Sequence, residues 1–94
     1  MTIYFAPEAE EDLVGIVEYL AERNPVAASE LGDRIFEIID KLASRAFDGP
    51  AVTLTTGEVV RSWPIPPVRL YYQRHDDAFW VLRIYHQARE PISR

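Results

Sequence analysis

The spacing of the apolar residues changes once along this chain, and that change restricts the possible folds more than any other feature. From Pro7 to about residue 46 the apolar residues recur at helical spacing. From Glu58 onward they alternate with polar residues, as they do in strands. With 94 residues, the chain is near the lower limit for folding around one core, so we expect a single domain, residues 1–94.

Two helices are predicted in the first half. The segment 7–24 begins with Pro7 at the first helical position and carries acids in its opening turns, which suits the start of a helix. The segment 24–46 begins with Asn24 as a cap, followed by Pro25. Because the two helices meet at this point, we expect an antiparallel helical hairpin. Gly15, inside the first helix, is interpreted as a position of close packing.

Four strands are predicted around this hairpin, and the segment 47–57 between the helices and the later strands is expected to be loop and turn. The predicted strands are residues 2–6, 58–63, 68–74 and 79–86. Only residues 75–78 separate the last two, which therefore form an antiparallel hairpin. The predicted fold is α+β, in the order β-α-α-β-β-β, with the helical hairpin packed on a small, mainly antiparallel sheet.

Alternation assigns the side chains of the last two strands to two faces. On the helix-facing side we expect Val68, Leu70, Tyr72, Trp80, Leu82, Ile84 and His86. On the opposite side we expect Arg69, Tyr71, Gln73, Phe79, Val81, Arg83 and Tyr85. Arginine interleaved with tyrosine on an open sheet can stack on bases, bind phosphates or anchor a peptide. It is equally typical of a sheet face that is merely solvated.

The charge is divided unevenly along the chain. Residues 1–48 hold eleven acids and four bases, a net charge of −7, and residues 49–94 hold four acids and six arginines, a net charge of +2. The overall charge of −5 argues against general nucleic-acid binding. Arginine suits bidentate contact with carboxylate or phosphate, so the second half favours a specific partner. Arg61 is one candidate contact, with an ion pair to a helix acid as the alternative.

Other classes of function find little support in the composition. The chain has no cysteine, and its two histidines are His75 and His86, so we expect no metal site and no cofactor. His86 is interpreted as a structural histidine, with a general base as the alternative. The first residues lack the pattern of a signal peptide, and no apolar run approaches the ~20 residues of a membrane helix. We therefore expect a cytoplasmic protein without membrane association.

Five segments of the chain together resemble the RelE/ParE superfamily of bacterial type II toxins, over Phe5 to Pro91. They are "FAPEAEEDLVGIVEYL" (5–20), "NPVAA" (24–28), "VVRSWP" (59–64), "VRLYY" (68–72) and "IYHQAREP" (84–91). The resemblance implies the β-α-α-β-β-β layout that the patterning predicts independently. It also implies a small antitoxin that wraps the toxin and blocks it, in a toxin–antitoxin hetero-oligomer.

The superfamily has two branches with different targets. RelE-like members are ribosome-dependent mRNA endonucleases, and Arg69 and Arg89 fall where those enzymes carry functional arginines. The lysines of their middle strand and their late tyrosine have no counterpart here. The "HxxRxP" ending, from His86 to Pro91, is more similar to the ParE branch. The resemblance therefore implies a ParE-like toxin, not an enzyme, that inhibits DNA gyrase and is neutralised by a ParD-like antitoxin.

The candidate contact residues for the target or the antitoxin are Arg61, Arg69, Tyr71, Arg83, Tyr85 and Arg89. Two alternatives stay open. One is an endoribonuclease acting on ribosome-bound mRNA, in which Arg69 and Arg89 stabilise the scissile phosphate and His86 is the acid or base. The other is a non-toxic family member that binds its antitoxin within a DNA-binding autorepressor complex.

Overall fold

The computed structural model describes residues 1–87, which form two helices and five strands. The elements in chain order are β1 (Thr2–Phe5), α1 (Pro7–Ala21), α2 (Pro25–Ala43), β2 (Ala51–Thr53), β3 (Val59–Ile65), β4 (Val68–His75) and β5 (Ala78–His86). One sheet contains all five strands in the order β1-β5-β4-β3-β2. β1 is parallel to β5, and the other pairs are antiparallel. The predicted α+β fold is confirmed, with β2 as an additional short strand where a loop was expected.

The helix boundaries follow from local chemistry. At the start of α2 the Asn24 Oδ1 accepts a hydrogen bond from the Ala27 amide at 3.1 Å, as the sequence predicts. α2 ends at Ala43, earlier than expected, because Arg45 adopts a left-handed conformation with φ 62°. The Ala46 amide then donates to the Lys41 carbonyl at 2.9 Å and closes the helix end. In residues 1–87 neither helix combines the length and the apolar character needed to cross a membrane.

The core lies between α2 and one face of the sheet. α2 contributes Leu31, Ile35, Ile39 and Leu42, all buried, and the sheet contributes Leu70, Tyr72, Phe79, Val81 and Ile84. α1 is buried less completely. Its Ala9 is fully buried, whereas Leu13, Ile16 and Leu20 are only partly covered. One flank of α1 is therefore open.

A bulge in β5 changes which residues face the helices. Tyr71 pairs with Arg83 while Tyr72 pairs with Val81, so Leu82 is an extra residue in the ladder. Before the bulge, Phe79 and Val81 face the helices. The predicted assignment of these two side chains to the outer face is therefore wrong.

The residues that alternate with them are reversed as well. Trp80 and Leu82, expected under the helices, lie on the outer face. There they join a second apolar cluster with Leu54, Val60 and Tyr71. After the bulge, Ile84 faces the helices as predicted. The sheet thus has an apolar cluster on each side.

The turn between β4 and β5 is a two-residue hairpin, within the segment where it was predicted. Asp76 and Asp77 have φ of 51° and 57°, and this pair of positive values matches the right-handed twist of the flanking strands.

Two glycines differ in what surrounds them. A Cβ atom on Gly49 would lie 1.9 Å from the Ser62 carbonyl oxygen, so only glycine fits between this loop and β3. A Cβ atom on Gly15 would meet nothing within 4 Å. The interpretation of Gly15 as a position of close packing is therefore wrong.

Alanine at these two glycines is expected to have opposite effects. Gly49→Ala forces the loop away from β3 and should lower the free energy of unfolding by about 3 kcal/mol. Gly15→Ala, its matched control in α1, should raise it by about 0.5–1 kcal/mol through helix propensity. Denaturant unfolding of both variants checks this. Wild-type stability in Gly49→Ala would contradict the contact with Ser62.

Candidate functional site

The outer face of β4 and β5 brings together four of the predicted contact residues. Arg69 pairs with Tyr85 across the ladder, and Tyr71 pairs with Arg83. We call these four residues the arginine–tyrosine face. The four side chains differ in their accessibility, and those differences decide what the face can do.

Arg83 is held by an acid of α1. Its Nε donates to Asp12 Oδ2 at 2.8 Å and its Nη2 donates to Asp12 Oδ1 at 3.0 Å. The Ile84 amide donates to the same carboxylate at 3.0 Å. The hydrogen bonds to Asp12 raise the pKa of Arg83 above its ordinary value. The Arg83 and Asp12 side chains are only 26% and 13% exposed, so Arg83 lies on the predicted side of the sheet but is engaged by an acid of α1.

Tyr71 is also less accessible than predicted. It is 6% exposed and packs in the outer apolar cluster with Leu54 and Leu82. Its ring lies edge-on to the ring of Tyr85, with centroids 5.9 Å apart. Tyr71 therefore packs beneath the other side chains of the arginine–tyrosine face and presents little surface to a partner.

Arg69 is a second partly exposed cation of this face. Its Nη1 donates to the Ser62 Oγ at 2.9 Å, and Ser62 is itself buried. Tyr85 is partly exposed beside it, and the Arg83 guanidinium lies 4.5 Å above the Tyr85 ring. The Arg69 guanidinium, fixed at one nitrogen by Ser62, is of the chemical type that binds a carboxylate or a phosphate.

The endoribonuclease residues are not brought together in the described part of the chain. His86 pairs with Val68, a core residue, which places it on the helix-facing side of the sheet. This is the predicted side, although His86 is exposed there. Arg69 lies on the opposite side of the sheet. Arg89, the third candidate, lies outside residues 1–87.

Arg61, another predicted contact residue, does not lie on the arginine–tyrosine face. It pairs with Tyr72 in the ladder, on the helix-facing side. Its Nη1 donates to the Gly49 carbonyl at 2.7 Å, and its Nε lies 3.5 Å from Asp48 Oδ2. The alternative of an ion pair therefore holds, although the acid lies in the loop after α2 and not in a helix.

Asp48 organises a polar cluster that the sequence does not signal. The Tyr72 hydroxyl donates to Asp48 Oδ1 and accepts from the Gly49 amide at 2.7 Å. Arg74 Nη1 lies 3.1 Å from both Asp48 oxygens, and its Nη2 donates to the Leu42 carbonyl at 2.5 Å. The cluster ties the end of α2 to β4.

These contacts shift two pKa values. Partial burial alone would raise the pKa of Asp48, but the hydrogen bonds from Tyr72 and Arg74 and the charges of Arg74 and Arg61 together lower it. Burial, together with the hydrogen bond to Asp48, raises the pKa of Tyr72 to about 12. Asp48 is therefore ionised and Tyr72 protonated at neutral pH.

A groove of about 540 Å³ runs along the open flank of α1. Its walls include Ile16, Leu31 and Ile84, and its margins include Glu11 and Tyr19. We call it the α1 groove. The groove was not predicted. Helical spacing indicates that Ile16 faces the core, but it does not show that the strands end before they cover this side chain.

The fold and these surfaces define a small α+β protein with an open, mostly apolar groove on the helix side and an arginine on the outer sheet face. The family described as "ParE toxin of type II toxin-antitoxin system, parDE" matches residues 3–91, and the chain belongs to this family. The resemblance to the RelE/ParE superfamily is thereby confirmed.

Similar proteins include a toxin from another bacterium and a chain of a solved toxin–antitoxin structure. It is 32% identical over 78 residues to "Toxin RelE2" of Caulobacter vibrioides, covering 83% of this chain and 85% of that protein. A solved structure titled "Chromosomal ParDE TA system from P. aeruginosa" has a chain with a TM-score of 0.74 and 19% identity. The match covers 92% of this chain and 95% of that chain, and it establishes the shared fold.

Asp48→Asn is expected to change the acid stability of the protein. The lowered pKa means that ionised Asp48 stabilises the fold above the ordinary value of 3.8, and this contribution disappears as the pH falls through the lower folded-state pKa. At neutral pH the variant should be less stable by about 1 kcal/mol, because two charged contacts are lost and solvent screens a carboxylate whose side chain is 36% exposed. Its deficit should shrink between about pH 5 and pH 2.

Denaturant unfolding across this pH range measures the effect. Asp33→Asn, an exposed carboxylate of α2, is the control and should follow the wild type. A constant deficit of Asp48→Asn at every pH would mean that Asp48 titrates identically in the folded and unfolded states.

Proposed function

We propose that this protein is a toxin that inhibits DNA gyrase in the cytoplasm and is neutralised by a ParD-like antitoxin. Membership of the ParE family over residues 3–91 supports this proposal. The observation that favours gyrase over RNA as the target is the position of Arg69 and His86 on opposite sides of the sheet. Acid–base cleavage of a phosphodiester needs both groups within reach of one phosphate.

The charge pattern agrees with a target that is a protein. β3 contains no lysine, and the helical half of the chain is acidic. An enzyme that grips mRNA gains much of its affinity from neutralising phosphates, which this chain is poorly equipped to do. On a protein target, the partly exposed Arg69 beside Tyr85 has the composition of an interface hot spot.

Ribosome-dependent RNA cleavage is the second candidate, and the relative named "Toxin RelE2" is the observation in its favour. Pulse-labelling in the first minutes after induction distinguishes the two targets. Gyrase inhibition should lower thymidine incorporation first, while methionine incorporation continues. An earlier fall in methionine incorporation would assign the RNA target. Normal incorporation of both would assign a non-toxic member of the family.

Arg69→Ala should weaken inhibition of gyrase supercoiling by at least about tenfold, because a charged hydrogen-bonded contact with the target is lost. Arg23→Ala, an exposed arginine at the end of α1, is the matched control and should inhibit like the wild type. Both proteins should unfold in one transition near the wild-type midpoint. Full inhibition by a folded Arg69→Ala would remove Arg69 from the target contact.

The α1 groove is the surface that we assign to the antitoxin. It is open, its walls are mostly apolar, and it presents the kind of trough into which a partner helix or extended segment places apolar side chains. Gly15 lines it and has open space at its Cβ position. A large side chain at this position would occupy the groove without displacing the core.

Gly15→Trp should therefore weaken binding of the antitoxin by at least about tenfold, because burying an apolar anchor contributes more than 1.4 kcal/mol. Val14→Trp is the control, since Val14 is exposed on the same helix but does not line the groove. Isothermal titration of purified toxin with antitoxin gives both affinities. Equal affinities would place the antitoxin elsewhere.

A further inference from the structure

A second, smaller cavity lies where the loop after α2 meets the ends of β3 and β4. Its volume is about 260 Å³, and it is lined by Arg45, Asp48, Arg61 and Arg74, with Val59 at its margin. It shares no residue with the arginine–tyrosine face or with the α1 groove. Neither part of the proposed function uses it.

Three arginines surround this cavity, and one carboxylate is available to them. Asp48 accepts from Arg74 and Tyr72. Arg74 is engaged at both terminal nitrogens, since its Nη1 contacts Asp48 and its Nη2 donates to the Leu42 carbonyl. Arg61 meets Asp48 only at 3.5 Å and donates by Nη1 to the Gly49 carbonyl. The cavity therefore keeps a net positive charge.

Arg45 contributes most of the unpaired charge. Among residues 1–87 its guanidinium has no hydrogen bond or ion pair, and the side chain is exposed. Its φ of 62° is the left-handed conformation in which glycine is preferred after a helix. An arginine there is disfavoured for the fold, yet its position places a guanidinium at the margin of the cavity.

We propose that this cavity binds a phosphate group, with Arg45 and Arg61 as its ligands and Arg74 as the fixed wall. Two guanidinium groups can donate several hydrogen bonds to the oxygens of one phosphate, which suits this ligand better than a carboxylate with two oxygens. Arg74 and Tyr72 hydrogen-bond the Asp48 oxygens, and Arg74 also donates to the Leu42 carbonyl, which limits their repulsion of an anion. The phosphate is either free or carried by a mononucleotide.

The test is a titration of the isotope-labelled full chain with inorganic phosphate and, separately, with adenosine 5′-monophosphate, at constant ionic strength. Backbone amide signals of Arg45, Ala46 and Gly49 are followed by NMR. Saturable shifts confined to this loop and its strand neighbours are expected. Tighter binding of the mononucleotide would assign a nucleotide, and equal binding would assign free phosphate.

Three variants distinguish binding at a defined site from a general effect of net charge. Arg45→Gln should weaken phosphate binding about tenfold, because a charge-assisted hydrogen bond is lost. Arg23→Gln removes the same charge far along the chain and should leave the affinity unchanged. Arg45→Gly should also bind about tenfold more weakly while its melting temperature stays at or above that of the wild type, since glycine prefers this conformation.

Two results would overturn the proposal. One is the absence of saturable shifts with either ligand. The other is an equal loss of affinity in Arg23→Gln, which would reduce the effect to net charge. Because the assay involves neither gyrase nor antitoxin, it is decided independently of the proposed function.

Discussion

The extra residue Leu82 in β5 determines how the rest of the molecule is arranged. Strict alternation would place Trp80 and Leu82 under the helices, and the bulge instead assigns Phe79 and Val81 to that core. Both sides of the bulged strand consequently carry apolar side chains. β5 lies between β1 and β4, so the alternation of its side chains determines how both neighbouring strands are aligned with it. The second apolar cluster on the outer face is the direct result, and it buries Tyr71 in a surface that would otherwise be open.

Acids supplied by other elements decide which arginines are available to partners. Asp12 of α1 engages Arg83, and Asp48 engages Arg74 and lies close to Arg61. These pairs join the helical layer and its following loop to the sheet. Of the two arginines on the outer face, Arg83 is thereby paired with an acid, whereas Arg69 donates to the neutral Ser62 hydroxyl.

Local signals in the sequence were sufficient to predict the helices and strands, but they did not predict the contacts between residues distant in the chain. Asn24 caps α2 and the Asp76–Asp77 turn closes the last hairpin through interactions within a few residues, so both could be predicted. The Arg83–Asp12 pair spans 71 positions and the Tyr72–Asp48 bond spans 24. Neither leaves a periodic pattern, and the bulge removes the alternation from which side-chain direction was inferred. Recognition of the family depended only on which residues occur and in what order, and the bulge does not change either.

The two proposed partner surfaces lie on opposite sides of the sheet, and this separation constrains neutralisation. The α1 groove opens on the helix side, while Arg69 faces outward. An antitoxin segment held only in the groove would leave Arg69 accessible to the target. Blocking therefore requires a second segment that passes around the edge of the sheet, or a body bulky enough to exclude gyrase from a distance. The negative charge of the helical half favours a basic linker for the first route. Because salt screens this attraction, neutralisation should weaken with rising salt on the first route more than on the second.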